Sequence, residues 1–176
     1  MSRTAEPGTA EGGSSARPRW LVFGIGNPSR GDDALGFRFA EELAAWLEVP
    51  GNAASLPMEV TVETDFQLLV EHALDLRFVD GAVFIDASMD TGAPFTVTRL
   101  SPIWDDSHTT HSLSPSGVLG VARKLGQTVP PCWQLAIPGH GFELGDDLSD
   151  AAAHSLFVAV DATLRALADG GQPLFI

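Results

Sequence analysis

The stretch "GIGNPSRGDDALG", Gly24 to Gly36, decides how the chain is read. It continues the apolar run "WLVFGIG" (20–26), and Gly24 and Gly26 carry the first spacing of the dinucleotide fingerprint G-x-G-x-x-G. The third glycine is missing. Ser29 stands in its place, and two carboxylates, Asp32 and Asp33, come where the following helix would begin. A pyrophosphate is held by backbone N–H groups and the positive end of a helix dipole, so two negative charges there repel it and welcome a cation.

Outward from this loop the pattern alternates short apolar runs with helical periodicity, as in a mainly parallel sheet covered by helices. Strands are predicted over 20–25, 58–64, 81–88, 94–100 and 132–139. Helices are predicted from about 33 to 47, with Leu35, Phe39, Leu43 and Trp46 on one face, and over 66–74, 114–125 and 149–168. Ser114 and Pro115 form an N-cap and first-turn start signal, and Gly170 closes the last helix. The fold class is therefore α/β: one domain, residues 19–176, whose twisted, mostly parallel five-stranded sheet lies between helices. Residues 1–18, rich in Gly, Ser, Ala and Pro, read as a disordered tail.

With 176 residues and a 44% hydrophobic fraction, the chain can bury a core of its own. Its 23 acidic and 10 basic residues, net charge −13, leave no basic stripe for nucleic acid or for an anionic membrane. One cysteine, Cys132, excludes a disulfide framework and multi-cysteine metal sites, in keeping with a cytoplasmic setting. There is no secretory h-region and no apolar run near the ~20 residues that span a bilayer. No large apolar face is left unused in the pattern, so a monomer is expected.

In open α/β sheets ligands bind beyond the carboxyl ends of the strands. Asp32 and Asp33 follow the first strand, Asp86 ends the third, and His108 and His111 stand in the loop after the fourth. Two carboxylates and an imidazole at one edge suit a divalent transition metal with open positions. Each also has a plain structural reading: a helix cap for Asp32 or Asp33, a loop hydrogen-bond acceptor for Asp86, a solvated imidazole for either histidine. Arg30 either pairs with Asp32 or meets a substrate, and Gly26 serves backbone geometry. Cys132, beside Trp133 in an apolar strand, reads as an inert thiol. His72 and His154 read as structural, and His140 belongs to a glycine-rich loop. The loops 101–113 and 139–148 are long enough to be functional. The G-x-S-x-G elbow, H-E-x-x-H and the Walker loop are absent.

The ordered set "LVFGIGNPSRGDDALG", "FIDAS", "HTTHSLSPSGVLGVARKL" and "AIPGHGFELGDDLSDAA" resembles the maturation endopeptidases of [NiFe]-hydrogenases over about residues 20 to 168. "TDFQLLVEHALDL" and "SRGDDALG" look most like the subgroup, often called HoxW, that serves soluble NAD-reducing hydrogenases. The resemblance implies a metal-contacting trio, which carries over to Asp33, Asp86 and His111. Many relatives have glutamate where this chain has Asp33, one methylene shorter. His108 has no assigned counterpart. Gly26, Asn27, Arg30 and Asp32 are expected to line the substrate's path.

The implied activity is removal of a C-terminal extension from the [NiFe]-hydrogenase large-subunit precursor after nickel insertion. The substrate's own nickel is then the recognition signal, and no permanently bound cofactor is expected. Two alternatives differ in class: a non-catalytic nickel-sensing chaperone, and another metal- or nucleotide-dependent enzyme on the same frame. Unchanged precursor mass in a stable complex would mark the first; a response to NAD or ATP would mark a nucleotide enzyme.

Overall fold

The computed structural model describes residues 16–89, 92–104 and 113–169. β1 (Arg19–Ile25) is an apolar run buried on both faces, which only an interior strand of a covered sheet allows. It pairs in parallel with β2 (Glu59–Asp65) on one side and β3 (Gly81–Ser88) on the other. β5 (Cys132–Pro138) adds in parallel to β3, and β4 (Thr96–Arg99) closes the edge antiparallel to β5. The strand order is β2-β1-β3-β5-β4. The chain leaves β1 toward β2 and returns past it to β3, so the order reverses at β1, and the crevice expected at such a switch point opens beside it.

One face of the sheet is covered by α1 (Leu35–Glu48) and α4 (Asp150–Ala168), where Leu35, Phe39 and Leu43 pack with Leu156 and Val160. The other face is covered by the 66–78 segment and α3 (Pro115–Lys124). There Leu68, Leu76, Val118 and Leu119 meet Phe23 and Phe84. A single helical turn, α2 (Asn52–Ser55), links α1 to β2 and has no counterpart among the predicted elements. The start of α1 lies hard against the sheet: a Cβ on Gly36 would fall 2.3 Å from the Ile25 carbonyl oxygen and 2.4 Å from that of Ile85. Gly36 thus does the packing work that the third glycine of a dinucleotide loop would do, ten residues after Gly26.

Two expectations are revised, and a third is met as far as the described residues reach. The 66–74 helix is instead two 3-10 turns, Val70–Ala73 and Asp75–Phe78. Its first residues are claimed by tertiary hydrogen bonds. The Leu68 carbonyl accepts from the Leu113 N–H (2.9 Å), Leu69 is extended (φ −119°, ψ 170°), and its N–H donates to His72 Nδ1 (2.9 Å). Arg17 and Pro18, inside the span expected as a tail, are tied to the fold: Arg17 Nη1 donates to the Ala53 and Leu56 carbonyls at 3.3 and 3.2 Å, and the Pro18 carbonyl accepts from the Glu59 N–H; residues 1–15 lie outside the described residues. The last helix ends at Ala168; its expected stop, Gly170, lies outside the described residues. α4 is long and apolar enough to cross a membrane, but Leu156, Val160 and Leu167 bury its apolar side in the core.

Candidate active site

The loop after β1 begins with a backbone that only glycine adopts without strain. Gly26 has φ 133°, and a Cβ there would meet the Asp33 carbonyl oxygen at 1.8 Å. The loop can therefore fold back on itself. The Asn27 N–H donates to Asp33 Oδ2 (3.0 Å), and Asn27 Oδ1 accepts from the Ser29 N–H (2.9 Å), an Asx turn that fixes the bend. A 3-10 turn, Gly31–Ala34, then carries the two aspartates in opposite directions.

Asp32, expected on the substrate path, is fully buried and points away from it. Its Oδ2 accepts from the His140 N–H (2.7 Å), the Gly141 N–H (3.0 Å) and the Ser149 hydroxyl (2.8 Å), and its Oδ1 accepts from the Ser149 N–H (2.7 Å). Burial raises its pKa, but these four donors outweigh burial and hold the carboxyl below the ordinary aspartate value. Asp32 is the clamp of the 139–149 loop. Arg30 does not pair with it: Arg30 Nε donates to the Phe142 carbonyl (2.8 Å) of the same loop. The His140 side chain is exposed, while its backbone is held by Asp32.

Asp33 faces the other way, into a cleft of about 480 Å³ that it shares with Asp86, Ile25, Gly26, Phe66 and Gln134. Strand alternation explains Asp86: it continues the Ala82–Phe84 side of β3, which faces the 66–78 segment and α3. Its carboxyl is pushed up to about 6, chiefly by burial and further by the Asp33 charge, while the Ala87 N–H pulls the other way. A half-buried carboxylate beside a second carboxylate has two ways to be neutralised, a proton or a cation.

Leu113 and Ser114 form the α3 wall of this cleft, and His111 stands two positions before Leu113 in the sequence. His111 and His108 themselves lie outside the described residues. Among the described residues no group of three or more His, Cys, Asp or Glu converges on one point, so Asp33 and Asp86 are the described part of the expected trio. Cys132 is buried, its thiol pushed up to about 12 by burial, which fits the inert reading.

Strand-exit reasoning did not reach three cleft residues: Phe66, Gln67 and Gln134. Gln134 had a signal, as the one polar side chain inside the apolar run "CWQLAIP". The wall carrying Phe66 and Gln67 is held by His72, which the residue-level reading placed as structural. Its Nε2 lies 3.4 Å from Asp65 Oδ2, and its ring meets Phe23 edge-on at 4.8 Å. The Asp65 carbonyl accepts from the Gly26 N–H, tying this wall to the first loop.

No protein-family model matches the sequence, and no curated protein matches it. Solved structures do. A [NiFe] hydrogenase maturation protease, HycI from Thermococcus kodakarensis KOD1, superposes with a TM-score of 0.65 at 20% identity, covering 87% of this chain and 94% of that one. The hydrogenase maturating endopeptidase HybD from E. coli gives a TM-score of 0.64 at 22% identity with the same coverage, 87% and 94%. A solution structure of an endopeptidase from Escherichia coli gives 0.63 at 22%, again over 87% and 94%. The chain has, over nearly its whole described length, the fold of the hydrogenase maturation endopeptidases.

Proposed function

We propose that this protein is an endopeptidase that removes the C-terminal extension of a [NiFe]-hydrogenase large-subunit precursor once nickel has been inserted. One observation carries the reading: Asp33 and Asp86 enter the same cleft at the switch point of the sheet, and Asp86 is pushed up to about 6. The shared fold supports the reading, as does the ordered set of motifs.

In this reading nickel arrives as part of the substrate. Asp33, held by the Asn27 N–H, and Asp86, held in the apolar wall of β3, offer oxygen ligands to it, and His111 completes the trio with a nitrogen. A cation seated between the carboxylates displaces the proton that Asp86 keeps below pH 6 and places the scissile peptide alongside. Polarisation of the scissile carbonyl or of a water by the substrate's metal supplies the hydrolytic step. Metal-free precursor lacks the charge that relieves this site, which makes nickel insertion the condition for cutting. The stretch "TDFQLL" (64–69) looks most like the soluble-hydrogenase subgroup, and the cytoplasm is the expected setting.

Intact-mass spectrometry of nickel-loaded and metal-free precursor, each incubated with the protein, tests the reading. A mass loss in the nickel-loaded sample alone is expected, and it identifies the bond. Binding without mass loss in either sample would replace the endopeptidase by a chaperone.

A further inference from the structure

β5 is apolar along its length except at Gln134. Its neighbours Trp133 and Leu135 belong to the core under α1 and α4, so strand alternation turns Gln134 to the opposite face, beside Phe84 of β3. Cys132, two residues earlier on that face, is packed into the core, and an apolar side chain at 134 would extend it. The half-buried carboxamide instead lines the cleft that holds Asp33 and Asp86. Among the described residues it neither donates nor accepts a hydrogen bond. An amide held in a half-buried strand without a partner is unfavourable, and a ligand that supplies the partner removes that cost. Gln67, the other carboxamide of the cleft lining, is exposed, so solvent satisfies it.

Asp86 pairs with Ala136, so Gln134 lies one strand across from Asp86 and two residues further in from the carboxyl edge. With strands about 4.8 Å apart and a rise of about 3.3 Å per residue, the two Cα atoms are roughly 8 Å apart. An extended peptide covers that distance in two or three residues. A carboxamide carries an acceptor and an N–H donor in one plane, the complement of a peptide group, and it adds no third negative charge to a cleft that already holds two. We propose that Gln134 binds the main chain of the precursor's C-terminal segment, its amide pairing with a peptide group within about three residues of the bond to be cut. The proposal rests on the endopeptidase reading above. Asp33 and Asp86 engage the substrate's metal, and Gln134 holds the chain to one side of it. Two anchors orient the scissile bond, where one would let it swing. Peptide groups recur along every chain, so Gln134 contributes hold rather than choice of sequence.

Gln134→Met keeps the length of the side chain and removes both hydrogen-bonding atoms. Cutting of nickel-loaded precursor, followed by intact mass, is expected to lose about tenfold or more in kcat/KM. Thermal unfolding should stay at or above the native temperature, because the folded protein loses no hydrogen bond of its own. A second measurement locates the contact. Precursors carrying an ester in place of one backbone amide, made by joining a synthetic tail to the nickel-loaded body, are given to both proteins. At one position within three residues of the cut bond, the ester should slow the native protein about tenfold and the Gln134→Met protein by less than about twofold, since that interaction is already gone. Native kcat/KM in the Gln134→Met protein overturns the proposal. So do losses that multiply at every ester position, since the glutamine would then act on something other than the tail, and so does lowered stability with native cutting per folded molecule. A native protein that leaves nickel-loaded precursor uncut would sink the endopeptidase reading and the role of Gln134 with it. Cutting by the native protein that Gln134→Met matches would sink the role of Gln134 alone.

Discussion

Asp32 and Asp33 are neighbours in the chain and face opposite regions of the molecule. Asp32 enters a closed knot in which two backbone N–H groups of the 139–149 loop and both donors of Ser149 saturate its oxygens. Asp33 enters the open cleft, where its described hydrogen bond is the Asn27 N–H and its neighbour is Asp86. Both Asp32 and Asp86 are removed from water, yet their pKa values move in opposite directions, down for Asp32 and up to about 6 for Asp86. The difference lies in the donors. A buried carboxylate with a full set of N–H and O–H partners is a structural anion; one with an apolar wall and another carboxylate beside it remains available for a cation or a proton.

The sharpest way to break this comparison is to neutralise the cleft pair. Asp86→Asn and Asp33→Asn should each lower processing of nickel-loaded precursor by on the order of 10²–10³-fold while the protein stays folded, read by intact mass against time. His111→Ala is expected to do the same. Asp32→Ala should act through stability instead: stranding three backbone N–H groups and the Ser149 hydroxyl, and loosening their loop, costs about 3–5 kcal/mol in urea unfolding. Activity per folded molecule should then survive. Processing by a folded Asp86→Asn protein at the native rate would remove the cleft from the mechanism.

Smaller effects sharpen the contrast. Burial holds the Asp86 carboxyl up at about 6 in the folded protein, above the ordinary aspartate value. A raised carboxyl destabilises the fold once it must ionise, so the penalty is absent below pH 4, grows between pH 4 and 6 and is constant above. Asp86→Asn should therefore be more stable than the native protein by up to about 3 kcal/mol above pH 6 and equal to it below pH 4, measured by urea unfolding across pH. The stability of the Asp32 knot runs the other way: its depressed pKa makes its contribution full near neutrality and lost as pH falls below the ordinary aspartate range. Ser149→Ala removes one Asp32 donor and the α4 N-cap, whose Oγ accepts from the Ala152 N–H, and should cost about 1–2 kcal/mol.

Most of the frame was legible in the residues because the responsible forces act locally. The apolar runs at 20–25, 81–88 and 132–139 became β1, β3 and β5, and Ser114–Pro115 did cap and open α3, with Ser114 Oγ accepting from the Gly117 N–H. The 66–78 segment was misread because helical spacing is a statement about burial, and its carbonyls and amides were taken by Leu113 and His72 instead. The antiparallel direction of β4 left no mark, since four residues pairing with Trp133–Ala136 look alike in either sense. Of the candidate site, Asp33 and Asp86 were visible as acids at strand exits and Gln134 showed only as a polar break in an apolar run, whereas Phe66 was hidden because a wall of a cleft has no sequence period.

The chain's own sequence determined the alternation of strands and helices, the glycine-led turn at Gly26, and which carboxylates reach the carboxyl edge of the sheet. Those follow from side-chain period, backbone freedom and charge, each set within a few residues. Only the tertiary structure decided which of the two adjacent aspartates is a clamp and which a site residue. That choice depends on where the 139–149 loop brings its free N–H groups, more than a hundred positions away. Donors that distant leave no trace in the spacing of the residues they hold.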